Sequence, residues 1–173
     1  VQDIERYQRK EDEQEELVPR YYQDDAIYSW KENGYRGIWK MATGTGKTLT
    51  AIWGLEELLK DNSPILTVVV CPFSHLIGQW REELEDQGFD TISTRDYRWE
   101  SQLESDMTHL VSGTEETIVL LTTYGKYHKK DFRERISDYS VEKLLMADEV
   151  HSSGAPTHSE GLIEEYDYRL GLS

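Results

Sequence analysis

Short apolar segments alternate with amphipathic segments along the chain, and this alternation predicts the order of strands and helices. The segment Ile65 to Cys71 is almost entirely apolar and β-branched, which is typical of a strand buried on both faces of a parallel sheet. Shorter apolar segments predict further strands at Ile38 to Ala42, Thr91 to Ser93, Thr117 to Leu121, Leu144 to Ala147 and Tyr168 to Ser173.

Apolar residues spaced three and four apart predict helices between these strands. The predicted helices are Arg20 to Asn33, Leu49 to Lys60, Leu76 to Gln87, Ser101 to Val111 and a mixed-charge helix between residues 121 and 144. Strands that alternate with helices indicate an α/β fold of three layers around a mostly parallel central sheet. We expect an acidic leader over residues 1–18 and one domain over residues 19–173.

The charge is strongly negative and unevenly distributed. The 173 residues include 34 acidic and 19 basic side chains, a formal net charge of −15. Binding of nucleic acid by charge alone needs lysine and arginine against phosphates, so the total charge argues against it. The acids concentrate in the leader and in Arg81 to Glu116, which holds eleven acids against three arginines. We expect the face formed by Arg81 to Glu116 to avoid nucleic acid.

Cysteine content and hydropathy indicate the compartment. Cys71 is the one cysteine, which excludes an internal disulfide and indicates a reducing environment. No apolar segment approaches the roughly 20 residues that span a bilayer, and the first residues lack the pattern of a signal peptide. We therefore expect a soluble, cytoplasmic protein that does not contact a membrane.

A glycine-rich segment between a predicted strand and a predicted helix indicates a phosphate-binding loop. Gly44 and Gly46 allow a tight turn in which successive amides face phosphate oxygens, and the following helix adds its positive end. Lys47 is then predicted to reach the β- and γ-phosphates, and the Thr48 hydroxyl to bind Mg²⁺. Ala42 stands where the strict pattern G-x-x-x-x-G-K-[ST] has its first glycine. The alternative is a glycine-rich turn with an incidental lysine.

An acidic pair follows the apolar strand predicted at Leu144 to Ala147. Open α/β sheets bind ligands at the carboxyl ends of their strands, so this strand delivers Asp148 and Glu149 to the edge where ligands bind. Asp148 is predicted to hold Mg²⁺ and Glu149 to polarise the attacking water. The alternative is a solvated acidic pair after a strand.

Six segments, in order along the chain, carry a resemblance to a known family. The segments Ala42 to Thr48 and Asp148 to His151 resemble motifs I and II of superfamily 2 helicases and translocases, the DEAD/DEAH-box-like group. The segments that resemble its Q-type motif, its motifs Ia and Ib, and the start of its motif III are Arg20 to Gln23, Cys71 to Trp80, Leu121 to Tyr124 and Leu170 to Ser173.

The resemblance implies a RecA-like P-loop domain that uses ATP and Mg²⁺, with Gln23 reading the adenine. The nucleotide-binding residues it implies are Arg20, Gln23, Thr43, Gly44, Thr45, Gly46, Lys47 and Thr48. The implied catalytic residues are Lys47, Asp148, Glu149 and His151, with Thr48 and Asp148 as the Mg²⁺ ligands. The implied contacts with nucleic acid are Pro72, Phe73, Ser74, His75, Thr122, Thr123 and Tyr124.

By this resemblance we expect the motor domain of an ATP-dependent DNA helicase or translocase. The Q-type and Ia segments resemble most those of the branch that contains type I and type III restriction subunits and DNA-repair translocases. This resemblance favours duplex DNA over RNA as the track. The family uses a second RecA-like domain, which supplies an arginine finger worth about 10³–10⁵ in rate in comparable systems. We expect this chain to be the first domain alone, hydrolysing ATP poorly. The alternative is an ATP-switched nucleic-acid-binding module of a restriction, defence or sensor complex, without strand separation.

Overall fold

The computed structural model describes residues 18–42, 44–150 and 165–173, and these form an α/β domain. The strands are β1 (Arg36–Trp39), β2 (Ile65–Cys71), β3 (Thr91–Ser93), β4 (Thr117–Thr123), β5 (Glu142–Ala147) and β6 (Tyr168–Leu172). The helices are α1 (Tyr21–Glu32), α2 (Lys47–Asn62), α3 (Ser74–Asp86), α4 (Trp99–Val111), α5 (Tyr124–Tyr127) and α6 (Lys130–Ser137).

The strands of the described residues form one sheet in the order β1-β6-β5-β2-β4-β3. Every pairing in it is parallel, so all strands end at the same edge, which we call the carboxyl edge. The predicted α/β fold around a mostly parallel sheet is confirmed. β2 lies at the centre, between β5 and β4, which explains why it reads as a continuous apolar segment.

Two layers of helices cover the sheet, one on each face. Helices α1, α2 and α3 pack against one face, where Ile65, Val69 and Cys71 of β2 point. Helices α4, α5 and α6 cover the other face, where Leu66 and Val68 of β2 point. All seven residues of β2 are buried, because neighbouring side chains of a strand point to opposite faces. The predicted three-layer arrangement is present.

Some boundaries differ from those predicted by the apolar pattern. α2 begins at Lys47, two residues before the predicted start, because the polar residues of the phosphate loop already have helical geometry. β1 ends at Trp39 rather than at Ala42, because Trp39 pairs with Leu172, the last residue of its partner strand β6. The mixed-charge helix predicted between β4 and β5 is two short helices. None of the described helices is long and apolar enough to cross a membrane.

Candidate nucleotide-binding site

The phosphate loop leads from the carboxyl end of β1 into α2. Gly44 and Gly46 both have φ of 79°, in the left-handed region that favours glycine. The Thr45 hydroxyl donates to the Ala42 carbonyl oxygen at 2.6 Å, which closes the turn. α2 begins directly after Gly46, so Lys47 and Thr48 occupy its first turn, where backbone N–H groups are free of helical partners.

The acidic pair lies opposite this loop. β5 is separated from β1 by β6 alone, so the carboxyl ends of β1 and β5 face each other across a single strand. Lys47 Nζ lies 2.7 Å from Glu149 Oε1, although the two residues are 102 positions apart in the chain. The structure therefore brings together the lysine of the loop and the acidic pair, as the sequence predicted for a phosphate site.

A cavity of about 350 Å³ lies between the loop and the acidic pair. It is lined by Gly44, Gly46, Lys47, Thr48, Leu76, Gln79, Glu83, Asp148 and Glu149. A hydroxyl from Thr48 and a carboxylate from Asp148 supply the oxygen ligands that Mg²⁺ prefers. The turn of left-handed glycines and the single lysine suit phosphate oxygens. The oxygen ligands and the lysine of this cavity thus fit a magnesium-bound nucleoside triphosphate.

Asp148 is buried and held by three neighbouring elements. Its Oδ2 accepts a hydrogen bond of 3.0 Å from the indole Nε1 of Trp80 in α3. Its backbone N–H donates to the Val70 carbonyl oxygen of β2 at 2.9 Å, and its carbonyl oxygen accepts from the Tyr124 hydroxyl at 2.9 Å. Burial raises the pKa of the Asp148 carboxyl, while the Trp80 bond and the charge of Lys47 act in the opposite direction.

Helix α3 contributes side chains that the sequence analysis did not assign to the nucleotide site. Leu76, Gln79 and Glu83 line the cavity, and Trp80 binds Asp148 from the same helix. Burial raises the pKa of the Glu83 carboxyl, and the nearby acids add to this effect. The spacing of Gln79 and Glu83, four residues apart, places both on one helix face. This spacing is the signal in the sequence that could have assigned Gln79 and Glu83 to the site. It becomes informative only when α3 is known to pack beside the phosphate loop.

Gln23 lies under the phosphate loop with its carboxamide fully engaged. Its Oε1 accepts from the Arg20 backbone N–H at 2.8 Å. Its Nε2 donates to Thr50 Oγ1 at 2.7 Å and lies 3.4 Å from the Thr45 carbonyl oxygen. The Tyr22 hydroxyl donates to the same carbonyl oxygen at 3.0 Å. In this structure Gln23 stabilises the loop through these contacts. Its predicted contact with adenine stays a prediction.

Replacing Gly46 with alanine should impair nucleotide binding. The new Cβ would lie 3.1 Å from Gln23 Nε2 at a left-handed φ, so the loop and its supporting amide must both shift. We expect ATP to bind at least about tenfold more weakly, the scale of one lost hydrogen bond to a charged group. Gly113→Ala is a matched control, because Gly113 has a similar φ of 76° and open space around it. The measurement is a calorimetric titration of each chain with ATP. Equal ATP affinities for Gly46→Ala, Gly113→Ala and the unsubstituted chain would show that the loop does not bind the nucleotide.

The segments that resemble motifs Ia and Ib lie at the carboxyl edge, with different exposure. Phe73, Ser74 and His75 are exposed at the start of α3, and Pro72 is half-buried. The rings of Phe73 and His75 are stacked, with centroids 5.7 Å apart. This part of the predicted nucleic-acid contact faces solvent.

The motif Ib residues point largely into the protein. Thr122 is fully buried and its hydroxyl is bonded to that of Thr94 at 3.0 Å. Tyr124 is buried and donates to the backbone of Asp148. Thr123, which is half-buried, is the remaining side chain of the three. Thr122 lies in the interior strand β4, and Tyr124 begins α5. Both side chains are buried in this structure, and their contact with nucleic acid stays a prediction.

Two predicted site residues, Thr43 and His151, lie outside the described residues. The Ser173 backbone N–H donates to the Trp39 carbonyl oxygen at 3.0 Å, and the Ser173 carbonyl oxygen accepts from Met41 N–H at 2.9 Å. The end of β6 is thus tied to the segment that leads into the phosphate loop.

The fold and the site define a class of protein. A phosphate loop after the first strand of a parallel sheet, with an acidic pair after β5, is the arrangement of the first RecA-like domain of superfamily 2 helicases. The family model described as "Type III restriction enzyme, res subunit" matches residues 16–173, and the chain belongs to this family. No curated protein sequence matches the chain significantly.

Solved structures of similar fold include two restriction enzymes and a helicase. A nuclease-deletion mutant of the Type ISP restriction-modification enzyme LlaGI, in complex with a DNA substrate mimic, matches with TM-score 0.70 and 22% identity. The ATP-dependent Type ISP restriction-modification enzyme LlaBIII bound to DNA matches with TM-score 0.71 and 20% identity. The UvsW helicase from Bacteriophage T4 matches with TM-score 0.60 and 19% identity.

Each of these matches covers 91% of this chain. The chain spans 17% of the LlaGI structure, 13% of the LlaBIII structure and 52% of UvsW. At these identities the likeness concerns the fold, which agrees with the expected RecA-like domain.

Proposed function

We propose that this chain is the ATP-binding motor domain of an ATP-dependent DNA helicase or translocase that uses Mg²⁺. The observation that carries the proposal is the shared cavity of Lys47, Thr48, Asp148 and Glu149, closed by the 2.7 Å contact between Lys47 and Glu149. Membership of the restriction-subunit family supports the same function. Bound ATP would supply a phosphoanhydride bond whose hydrolysis releases free energy, and Mg²⁺ would offset the charge of its phosphates.

Each residue of the cavity has a proposed role that follows from its chemistry. Lys47 neutralises phosphate charge, since it is the one cation among the described residues that line the cavity. Thr48 and Asp148 hold Mg²⁺ by oxygen atoms. The Glu149 carboxylate lies 2.7 Å from Lys47 Nζ beside the loop, where it can orient a water molecule. Gln23 and Tyr22 keep the loop in its turn.

The structure also supports a coupling between this cavity and the segments that resemble motifs Ia and Ib. The exposed Phe73 and His75 lie at the amino end of α3. Its next turns carry Gln79, which lines the cavity, and Trp80, which binds Asp148. From the other side, Tyr124 joins the end of β4 to the Asp148 backbone. A shift of either segment on binding nucleic acid would therefore move Asp148 directly.

DNA is the proposed track, and a restriction complex the proposed setting. The support is the family, whose model is named for a restriction enzyme subunit, and two structural neighbours that were solved with DNA or a DNA mimic. Phe73 and His75 offer stacked aromatic rings at the surface, which suit contact with nucleotides. We propose that a second RecA-like domain completes the site, as it does in superfamily 2 helicases.

Reciprocal binding of ATP and DNA tests the motor function. Measured by fluorescence anisotropy of a labelled duplex, DNA affinity should change at least about fivefold when Mg²⁺ and ATP are added at saturation, the usual lower bound for coupled sites. At an ATP concentration that just saturates the unsubstituted chain, the DNA affinity of Lys47→Ala should change much less, because weaker ATP binding leaves most of that variant empty. An unchanged DNA affinity of the unsubstituted chain, with ATP binding intact, would contradict the coupling proposed through α3 and Tyr124.

A further inference from the structure

A short loop between β3 and α4 lies beside the segment that resembles motif Ib. We call it the 94–98 loop; its residues are Thr94, Arg95, Asp96, Tyr97 and Arg98. The Thr94 backbone N–H donates to the Leu121 carbonyl oxygen at 3.0 Å, and the Thr94 hydroxyl is bonded to that of Thr122. The loop is therefore attached to the end of β4, at the carboxyl edge of the sheet.

The single acid of the 94–98 loop is neutralised from within the protein. Asp96 accepts two hydrogen bonds from the Arg81 guanidinium, at 2.6 and 3.2 Å. It also accepts one from the Ser93 backbone N–H at 2.9 Å. A bidentate pair of this kind has a fixed geometry as well as favourable energy. Arg81 thus holds the loop in place and offsets the negative charge of Asp96.

The two arginines of the loop remain directed to solvent. Arg95 and Arg98 are exposed, and no carboxylate among the described residues lies within ion-pair distance of either. Tyr97 is 86% exposed, and the Arg98 guanidinium lies 5.0 Å from the centroid of its ring. Stacking on the ring limits the freedom of this guanidinium, so less entropy is lost when it binds an anion.

We propose that the 94–98 loop contacts the phosphate backbone of the nucleic acid, with Arg95 and Arg98 as the phosphate ligands. The proposal rests on the proposed function, and it extends the nucleic-acid surface from α3 and β4 across to β3. Exposed arginine is well suited to phosphate, because its planar donors match the phosphate oxygens. Since phosphates are common to all sequences, this contact would position the strand and not read its bases.

This inference revises the expectation that the segment Arg81 to Glu116 avoids nucleic acid. The segment does carry many acids, but Asp96 is paired with Arg81, and several of the others lie away from Arg95 and Arg98. Asp90, Glu115 and Glu116 lie just before β3 and β4, at the amino edge of the sheet. Arg95 and Arg98 lie after β3, at the carboxyl edge. The net charge of this segment is negative, but the part of it that lies at the carboxyl edge presents two exposed arginines.

The test compares the variant Arg95→Ala/Arg98→Ala with a control that removes two bases at the amino edge. Arg36→Ala/Lys60→Ala is that control, because Arg36 opens β1 and Lys60 lies in the last turn of α2. Anisotropy of a short labelled duplex, titrated with each chain at several NaCl concentrations, gives the affinity and its salt dependence. Circular dichroism checks that each variant is folded.

We expect the loop variant to bind about tenfold more weakly, the scale of a lost charge-assisted hydrogen bond. Its slope of log K against log salt should fall by about 1.8, since each phosphate contact contributes about 0.9. The control should match the unsubstituted chain in both quantities. If loop variant and control bind alike, the inference is wrong while the proposed function stands. If the unsubstituted chain binds no DNA, the proposed track and this inference both fail.

Discussion

Replacing Lys47 with alanine is expected to weaken the binding of Mg²⁺-ATP by about 10–100-fold, the scale of one or two lost interactions with a charged group. Lys47 is the one cation among the described residues that line the cavity, where Glu83, Asp148 and Glu149 are acidic. Without the lysine, these acids would face the triphosphate uncompensated. Glu149 would also lose the partner that its carboxylate has at 2.7 Å.

The measurement is an isothermal titration of each chain with ATP in the presence of Mg²⁺. Lys60→Ala is the matched control, because it removes the same charge from the opposite end of α2. The control should retain the affinity of the unsubstituted chain. Equal affinities for all three chains would show that the phosphate loop is not the nucleotide site.

Replacing Trp80 with phenylalanine is expected to raise the Mg²⁺ concentration needed for half-maximal ATP binding by about 10–100-fold. The change keeps a ring in the core but removes the indole N–H that binds Asp148 Oδ2 at 3.0 Å. Groups that orient a metal ligand contribute on this scale to metal affinity. Without the bond, the buried carboxylate of Asp148 is free to rotate away from the loop.

Trp30→Phe is a matched control for this prediction. Trp30 is as deeply buried as Trp80, and its indole donates to the Arg169 carbonyl oxygen at 2.9 Å, away from the cavity. Both variants should lose a similar free energy of unfolding, about 1–3 kcal/mol for a buried group left without its partner. The Mg²⁺ titration of ATP binding should shift for Trp80→Phe alone. A similar shift in both variants would reduce the role of Trp80 to packing.

The sequence predicted the sheet well, for a physical reason. A strand buried on both faces must be apolar at every position, and β2 shows this most clearly. Short helices on the surface leave a weaker pattern, so α5 and α6 were predicted as one helix. The start of α2 was also missed, because Lys47 and Thr48 are polar for chemical reasons while their backbone is already helical.

The site was predictable where the fold itself brings residues together. Lys47 and Glu149 both follow strands of a parallel sheet, and such strands end at one edge. The bond from Trp80 to Asp148 was not predictable, because it depends on the rotation of α3 against β5 over 68 residues of separation. The inward orientation of Thr122 depends likewise on the neighbours of β4, which include the 94–98 loop.

The proposed nucleotide site is tested by a titration of the unsubstituted chain with ATP, in Mg²⁺ and in EDTA, repeated for Asp148→Asn. We expect saturable binding at one site, weaker in EDTA, with Asp148→Asn in Mg²⁺ resembling the unsubstituted chain in EDTA. The site assignment is wrong if no saturable binding is found, or if the Mg²⁺ dependence is the same with and without the Asp148 carboxylate.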